Sequence, residues 1–130
     1  STGRDQYGTE WLDAHNFQLA SLPNEDRLAT LAAFTAESIF QNCRSFLKQY
    51  NCDNLIVGGG GVHHYPLMQQ LAKLFSDQKT VTSAEFGVDP DAKEALGFAV
   101  LAVAFIKSIP GNLPSVTGAD KAVVLGKLVL

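Results

Sequence analysis

Cysteine is scarce in this chain: 130 residues carry two, Cys43 and Cys52. They lack the CxxC spacing of zinc and redox sites and are too few for a disulfide framework. Reduced thiols in a cytoplasmic protein are expected, with a Cys43–Cys52 pair as the alternative. Basic runs are missing too. Ten Lys+Arg stand against 13 Asp+Glu for a net charge of −3, which removes the electrostatic footprint of a nucleic-acid binder. The longest apolar stretch, Ala95 to Ile106 with Gly97 inside it, is shorter than the roughly 20 residues that span a bilayer. No signal-peptide n-region is present either. The GxGxxG dinucleotide fingerprint needs glycine where His63 stands, no Walker lysine follows the glycine run, and no GxSxG elbow occurs. Dinucleotide, P-loop and nucleophilic-hydrolase templates are therefore unsupported. What remains is one domain or part of one, 46% hydrophobic and 18% charged, expected to be soluble and to engage neither membrane nor nucleic acid.

The chain opens at Ser1-Thr2-Gly3-Arg4-Asp5 without Met, cap or strand, so a piece of a longer protein is expected. The stretch to Pro23 is polar and irregular, with a helical turn at Thr9–Leu12 that docks Trp11. From Asn24, read as a cap, apolar residues recur at helical spacing from Leu28 to Leu47, and the helix ends at Tyr50-Asn51. Asn54–Val57 reads as a buried strand closed by four glycines, and Tyr65–Phe75 as a second helix with Pro66 in its first turn. Lys79–Thr82 is a second strand. Asp89 as N-cap and Pro90 at N1 start a third helix running to Ser108, apolar nearly all round and therefore expected to be buried between layers. Pro110–Pro114 forces a loop, and Ala122–Leu130 reads as a closing strand, or two split at Gly126. Alternating helices and strands imply an α/β layered architecture, its sheet at least partly parallel.

Three places can carry chemistry. Gly58-Gly59-Gly60-Gly61 lies between a strand and a helix, where a backbone without Cβ atoms admits a ligand and free N–H groups favour phosphate. A tight turn packed on a neighbour is the other reading. His63 and His64 follow; adjacent residues on a helix diverge by about 100°, so they do not share one metal ion, and no zinc site is expected. One imidazole is expected to line the ligand cleft while the other faces solvent or a carbonyl. Glu94 is either a solvated carboxylate favoured by the helix start or one held at a cleft to orient water or a sugar hydroxyl. Glu85 shares that ambiguity. Asp5, Asp89 and Asp91 read as turn or cap residues.

Several stretches together resemble the anhydro-N-acetylmuramic acid kinase family, sugar kinases of the actin/hexokinase/Hsp70 superfamily. They are Ser1–Arg4 with Trp11-Leu12, the Ala29–Ile39 helix, Val57–Met68 (VGGGGVHHYPLM), Asp91–Ala102 (DAKEALGFAVLA) and Pro110–Ala119 (PGNLPSVTGA). The last is highly specific, and the likeness is collinear over essentially the whole chain. It implies a ribonuclease H-like, actin-like ATPase fold, a mixed sheet flanked by helices, with residues 1–130 as the C-terminal portion of the second domain and the N-terminal domain missing. The implied activity uses ATP, Mg²⁺ and water to open a 1,6-anhydro ring and phosphorylate the freed O6. An upstream Asp is the expected base, and the Mg²⁺ ligands are expected mainly in that missing part. By the same resemblance Gly59, Gly60, Gly61, His63 and His64 contact the nucleotide, and Glu94 holds the reacting water or anhydro bridge. His64 stands where the family usually has Asn, which keeps a levoglucosan kinase branch open. Family members tend to form homodimers. A non-catalytic nucleotide-binding module is the alternative, and a Rossmann-type oxidoreductase fragment is disfavoured by the broken GxGxxG.

Overall fold

The computed structural model describes residues 7–129. Its elements run α1 (Thr9–Leu19), α2 (Asn24–Gln49), β1 (Asn54–Val57), α3 (Tyr65–Leu74), β2 (Lys79–Thr82), α4 (Lys93–Ile106) and α5 (Pro114–Thr117). Single 3₁₀ turns, Gly60–His63 and Ser83–Phe86, follow β1 and β2. The two strands pair as a parallel sheet, joined by α3 as crossover. The chain divides into two units, residues 1–55 with 64–80, and residues 56–63 with 81–130; the division cuts across both strands, so each unit holds half of the sheet.

The first unit is built on α2 packed against α3. Ala32, Ala36 and Phe40 recur every four residues on one face of α2, and the two alanines are buried. Small residues on that stripe allow close approach of a facing helix. Phe75, 1% exposed, seats its ring edge-on to Phe40 at 5.1 Å and 86°, and Leu71 is buried beside it on the last turn of α3. Also from the middle of α2, Phe34 stacks on Trp11 at 5.2 Å, and Trp11 stacks on His15 at 4.2 Å, which docks α1 as the sequence suggests for Trp11. The Arg27 side chain donates to the Leu22 and Ala20 carbonyls at 2.9 and 2.7 Å, holding the corner between α1 and α2.

Several expectations need correction. The segment before Pro23 is a helix of 11 residues rather than one turn in an irregular stretch. Asn24 is the first residue of α2, not its cap; Pro23 occupies that position and no side chain caps the helix. Asp89 does not cap α4, which begins at Lys93 with Ala92 before it. Its Oδ1 instead accepts the Asp91 N–H at 2.9 Å, and this local turn ends in Asp91 rather than in a helix. The sheet is not mixed. It has two strands, because residues 123–129 form no ladder among the described residues. Val123 is tied by its N–H to Asn112 Oδ1 and by its carbonyl to the Gly111 N–H. A strand needs a partner edge to become one.

Helix α4 gives the largest departure. Its all-round apolar sequence predicts burial, yet no residue on it is buried, and Phe98 and Ile106 are 74% and 80% exposed. The apolar pattern is present, but no layer among the described residues covers it. A patch of this kind binds hydrophobic probes. The isolated 130-residue chain is therefore expected to enhance ANS fluorescence strongly, and a Phe98→Glu, Ile106→Glu double substitution to remove most of that signal. Dye binding unchanged by the pair places the exposed apolar surface elsewhere.

Candidate functional site

The candidate site lies in the second unit, where β1 gives way to the glycine run. Gly59 sits at φ +83°, a conformation open to glycine and strained for side-chain-bearing residues. Its N–H donates to the Pro90 carbonyl at 3.0 Å, and its own carbonyl accepts the Val62 N–H at 3.1 Å. The turn is thus stitched to the loop that leads into α4. One turn of 3₁₀ helix then brings His63 to that loop, where its Nε2 lies 2.8 and 3.0 Å from the two oxygens of Asp91. A carboxylate accepts only, so Nε2 carries the proton and Nδ1 is the nitrogen left for a ligand or water. Both side chains are largely exposed, so this pair sets geometry more than stability.

The glycines differ in what surrounds them. A Cβ on Gly58 would lie 2.9 Å from Lys93 Cδ and 3.3 Å from Ser83 Oγ, so that glycine makes room for the lysine stem. A Cβ on Gly59 would meet Lys93 Cε at 3.8 Å, while one on Gly60 meets nothing within 4 Å. Both readings of the run therefore hold at different positions: Gly58 is a packed turn and Gly60 is open. Gly61 belongs to the 3₁₀ turn and is exposed.

Glu94 occupies the first turn of α4, exposed, next to the lysine that crosses the glycines. It has no hydrogen-bond or ion-pair partner among the described residues. Successive helical side chains diverge by about 100°, so Glu94 leaves the helix in a different direction from Lys93. His64 falls in the first unit and is the N-cap of α3: its Nδ1 accepts the Leu67 N–H at 3.1 Å. That nitrogen is therefore occupied by the helix, and only Nε2 is left for any ligand. The structure brings Gly59, Gly60, Gly61 and His63 together in one turn against the loop that carries Pro90 and Asp91, gives Glu94 no contact with that turn, and sets His64 to a capping task.

Sequence reasoning passed over Lys93, Ser83 and the pairing partner of His63. A signal for Lys93 existed: a cation in the first turn of a helix opposes the macrodipole. Ser83 offered none, because its proximity to Gly58 arises only when β2 pairs with β1. A hollow of about 800 Å³ opens in the first unit, lined by Trp11, Leu31, Phe34, Ile39 and Cys43 among others. It is lined mainly by apolar and aromatic groups and brings no charged side chain. Among the described residues no three His, Cys, Asp or Glu gather as a metal cage, and no helix is long and apolar enough to cross a membrane. A Mg²⁺ ion carried on substrate phosphates and water does not require such a cage.

Fold and site define a class: an α/β chain whose strand-to-helix turn is glycine-rich and tied to the start of a second helix. The particular family follows from comparison, for the chain belongs to the anhydro-N-acetylmuramic acid kinase family, whose model matches residues 1–130. It is similar to the anhydro-N-acetylmuramic acid kinase of Synechococcus elongatus, 44% identical over 126 residues, covering 97% of this chain and 33% of that protein. The kinase of Pseudomonas savastanoi pv. phaseolicola is 42% identical over 98% of the chain and 35% of its own length. That of Clostridioides difficile is 36% identical over 98% and 34%. The chain thus spans about a third of the length of the curated relatives it matches. These matches lend no support to its expected placement as a C-terminal portion.

Proposed function

We propose that this chain forms part of the ATP- and sugar-contacting wall of a kinase that acts on anhydro-N-acetylmuramic acid. The observation that carries the reading is the glycine turn: Gly59 held at φ +83° by its bond to Pro90, and Gly60 beside it open on the side where a Cβ would stand. A bare backbone there lets a flat or phosphorylated ligand approach, and fixed N–H groups need no reorganisation to receive it. His63, oriented through Nε2 by Asp91, presents Nδ1 at the edge of the same turn.

In the reaction, water adds at the anomeric carbon, the C1–O6 bond of the anhydro bridge breaks, and O6 takes the γ-phosphoryl group of ATP, leaving ADP. Glu94 is the residue of this chain assigned to the sugar side. As an unpaired carboxylate it accepts a hydrogen bond from the attacking water or a sugar hydroxyl and so fixes its orientation. The base that removes the proton from water is assigned to residues outside this chain. Mg²⁺ supplies charge neutralisation of the phosphates.

The test uses a polypeptide of the relatives' full length containing this chain. Gly60→Val adds bulk where nothing stands within 4 Å, so folding is expected to be unaffected while affinity for ATP falls about tenfold or more. Calorimetric titration with ATP, alongside thermal melting, reads both. Unchanged affinity in the folded variant removes the nucleotide from this turn.

A further inference from the structure

Two features of the glycine turn are left unexplained by the reading above. The first is Lys93, which stands in the first turn of α4, where the helix dipole disfavours a cation. It has no ion-pair or hydrogen-bond partner among the described residues. Its stem crosses the turn, with Cδ and Cε lying against the space that side chains on Gly58 and Gly59 would fill. The second is the Ser83 hydroxyl. Ser83 is 8% exposed, its Oγ has no hydrogen-bond partner, and it faces Gly58 at 3.3 Å from the Cβ position. A buried hydroxyl without a partner is costly and rare in native proteins.

We propose that Lys93 and Ser83 make this turn a phosphate-binding site, with Lys93 contributing the charge and Ser83 a hydroxyl donor to a nucleoside di- or triphosphate. The inference rests on the reading of the glycine turn as the nucleotide wall and adds which part of the nucleotide these residues hold. An anionic phosphate satisfies both anomalies at once. It neutralises a cation that opposes its helix, reinforces the favourable interaction of that helix start with negative charge, and gives the Ser83 hydroxyl the acceptor it lacks. Gly58 then has a specific reason to be glycine: any side chain there would push the lysine stem off the turn and crowd the Ser83 hydroxyl.

The experiment titrates a polypeptide of the relatives' full length with ADP, adenosine and inorganic pyrophosphate. Lys93→Met keeps the apolar stem and removes the charge. It is expected to weaken ADP and pyrophosphate about tenfold and to leave adenosine unchanged, whereas Lys93→Arg keeps ADP affinity within about threefold. Ser83→Ala is expected to weaken ADP about threefold while leaving the melting temperature of the unliganded protein equal or higher, since an unsatisfied buried hydroxyl is removed. Equal loss of adenosine and ADP in Lys93→Met overturns the proposal by showing a structural role for the lysine. Unchanged ADP affinity in either Lys93→Met or Ser83→Ala overturns it as well. Gly60→Val separates the two levels: if it weakens ADP and adenosine while Lys93→Met weakens neither, only the phosphate assignment fails. If Gly60→Val alters no affinity, the nucleotide-wall reading fails with it.

Discussion

Replacing Glu94 by Gln in a polypeptide of the relatives' full length is expected to lower kcat for phosphoryl transfer to anhydro-N-acetylmuramic acid by about 100-fold or more, the scale of a lost positioning or proton-handling group. Gln has nearly the same shape, so the change removes the carboxylate's acceptor strength and leaves the helix start filled. Glu94 is exposed and has no partner among the described residues, so little of the fold depends on it. A melting temperature close to that of the parent protein should therefore accompany the loss of rate. Steady-state assays that couple ADP release to a chromogenic reaction read the effect, with KM for ATP expected to change far less than kcat. A Glu94→Gln enzyme with full kcat would return this residue to the bland role of a carboxylate favoured by the helix dipole. A fall in ATP affinity without loss of kcat would move it from the sugar side to the nucleotide side.

Phe75→Ala is expected to destabilise the first unit by about 3–5 kcal/mol, the range for removing a fully buried aromatic ring. The ring is 1% exposed and meets Phe40 edge-on at 5.1 Å, so truncation removes transfer energy and the aromatic pair together. Single domains are stable by only about 5–15 kcal/mol, so a loss of this size takes much of the margin. The cost should be visible in a lowered urea midpoint with an unchanged slope. Phe40→Ala should cost less, because Phe40 is only half-buried. A destabilisation under about 1 kcal/mol for Phe75→Ala, read from the midpoint shift and the slope, contradicts the placement of the core between α2 and α3.

These two residues also mark how far reading the chain alone reaches. β1 and β2 fall on Asn54–Val57 and Lys79–Thr82 as expected, although β1 is not the buried strand its apolar run suggests, with no buried residue and Ile56 51% exposed, and α3 ends one residue before the Phe75 boundary read from the sequence. Short apolar runs bounded by glycine, and a helix bracketed by Pro66 and polar residues, are decided locally. Local signals were insufficient at α1, where only one turn was expected, because a polar helix of weak periodicity is held by Trp11 stacking on Phe34 of a different element. At Asp89 the local signal was ambiguous: a carboxylate before Pro90 suits a helix cap and an Asx turn equally, and the turn prevailed.

Amino-acid order by itself determined the strands, the extent of α2 and α3 and the bare turn after Val57, since each depends on residues within a few positions of one another, and it determined the family likeness through motifs in collinear order along the chain. Tertiary structure alone decided that Lys93 crosses Gly58, that Asp91 holds His63, that the Ser83 hydroxyl is buried without a partner, and that α4 is apolar yet uncovered. The physical reason is distance along the chain. His63 and Asp91 are 28 residues apart, and Gly58 and Lys93 lie at opposite ends of a strand–helix–strand crossover. No propensity or periodicity carries information over such a span, and only the pairing of β1 with β2 brings those side chains into reach.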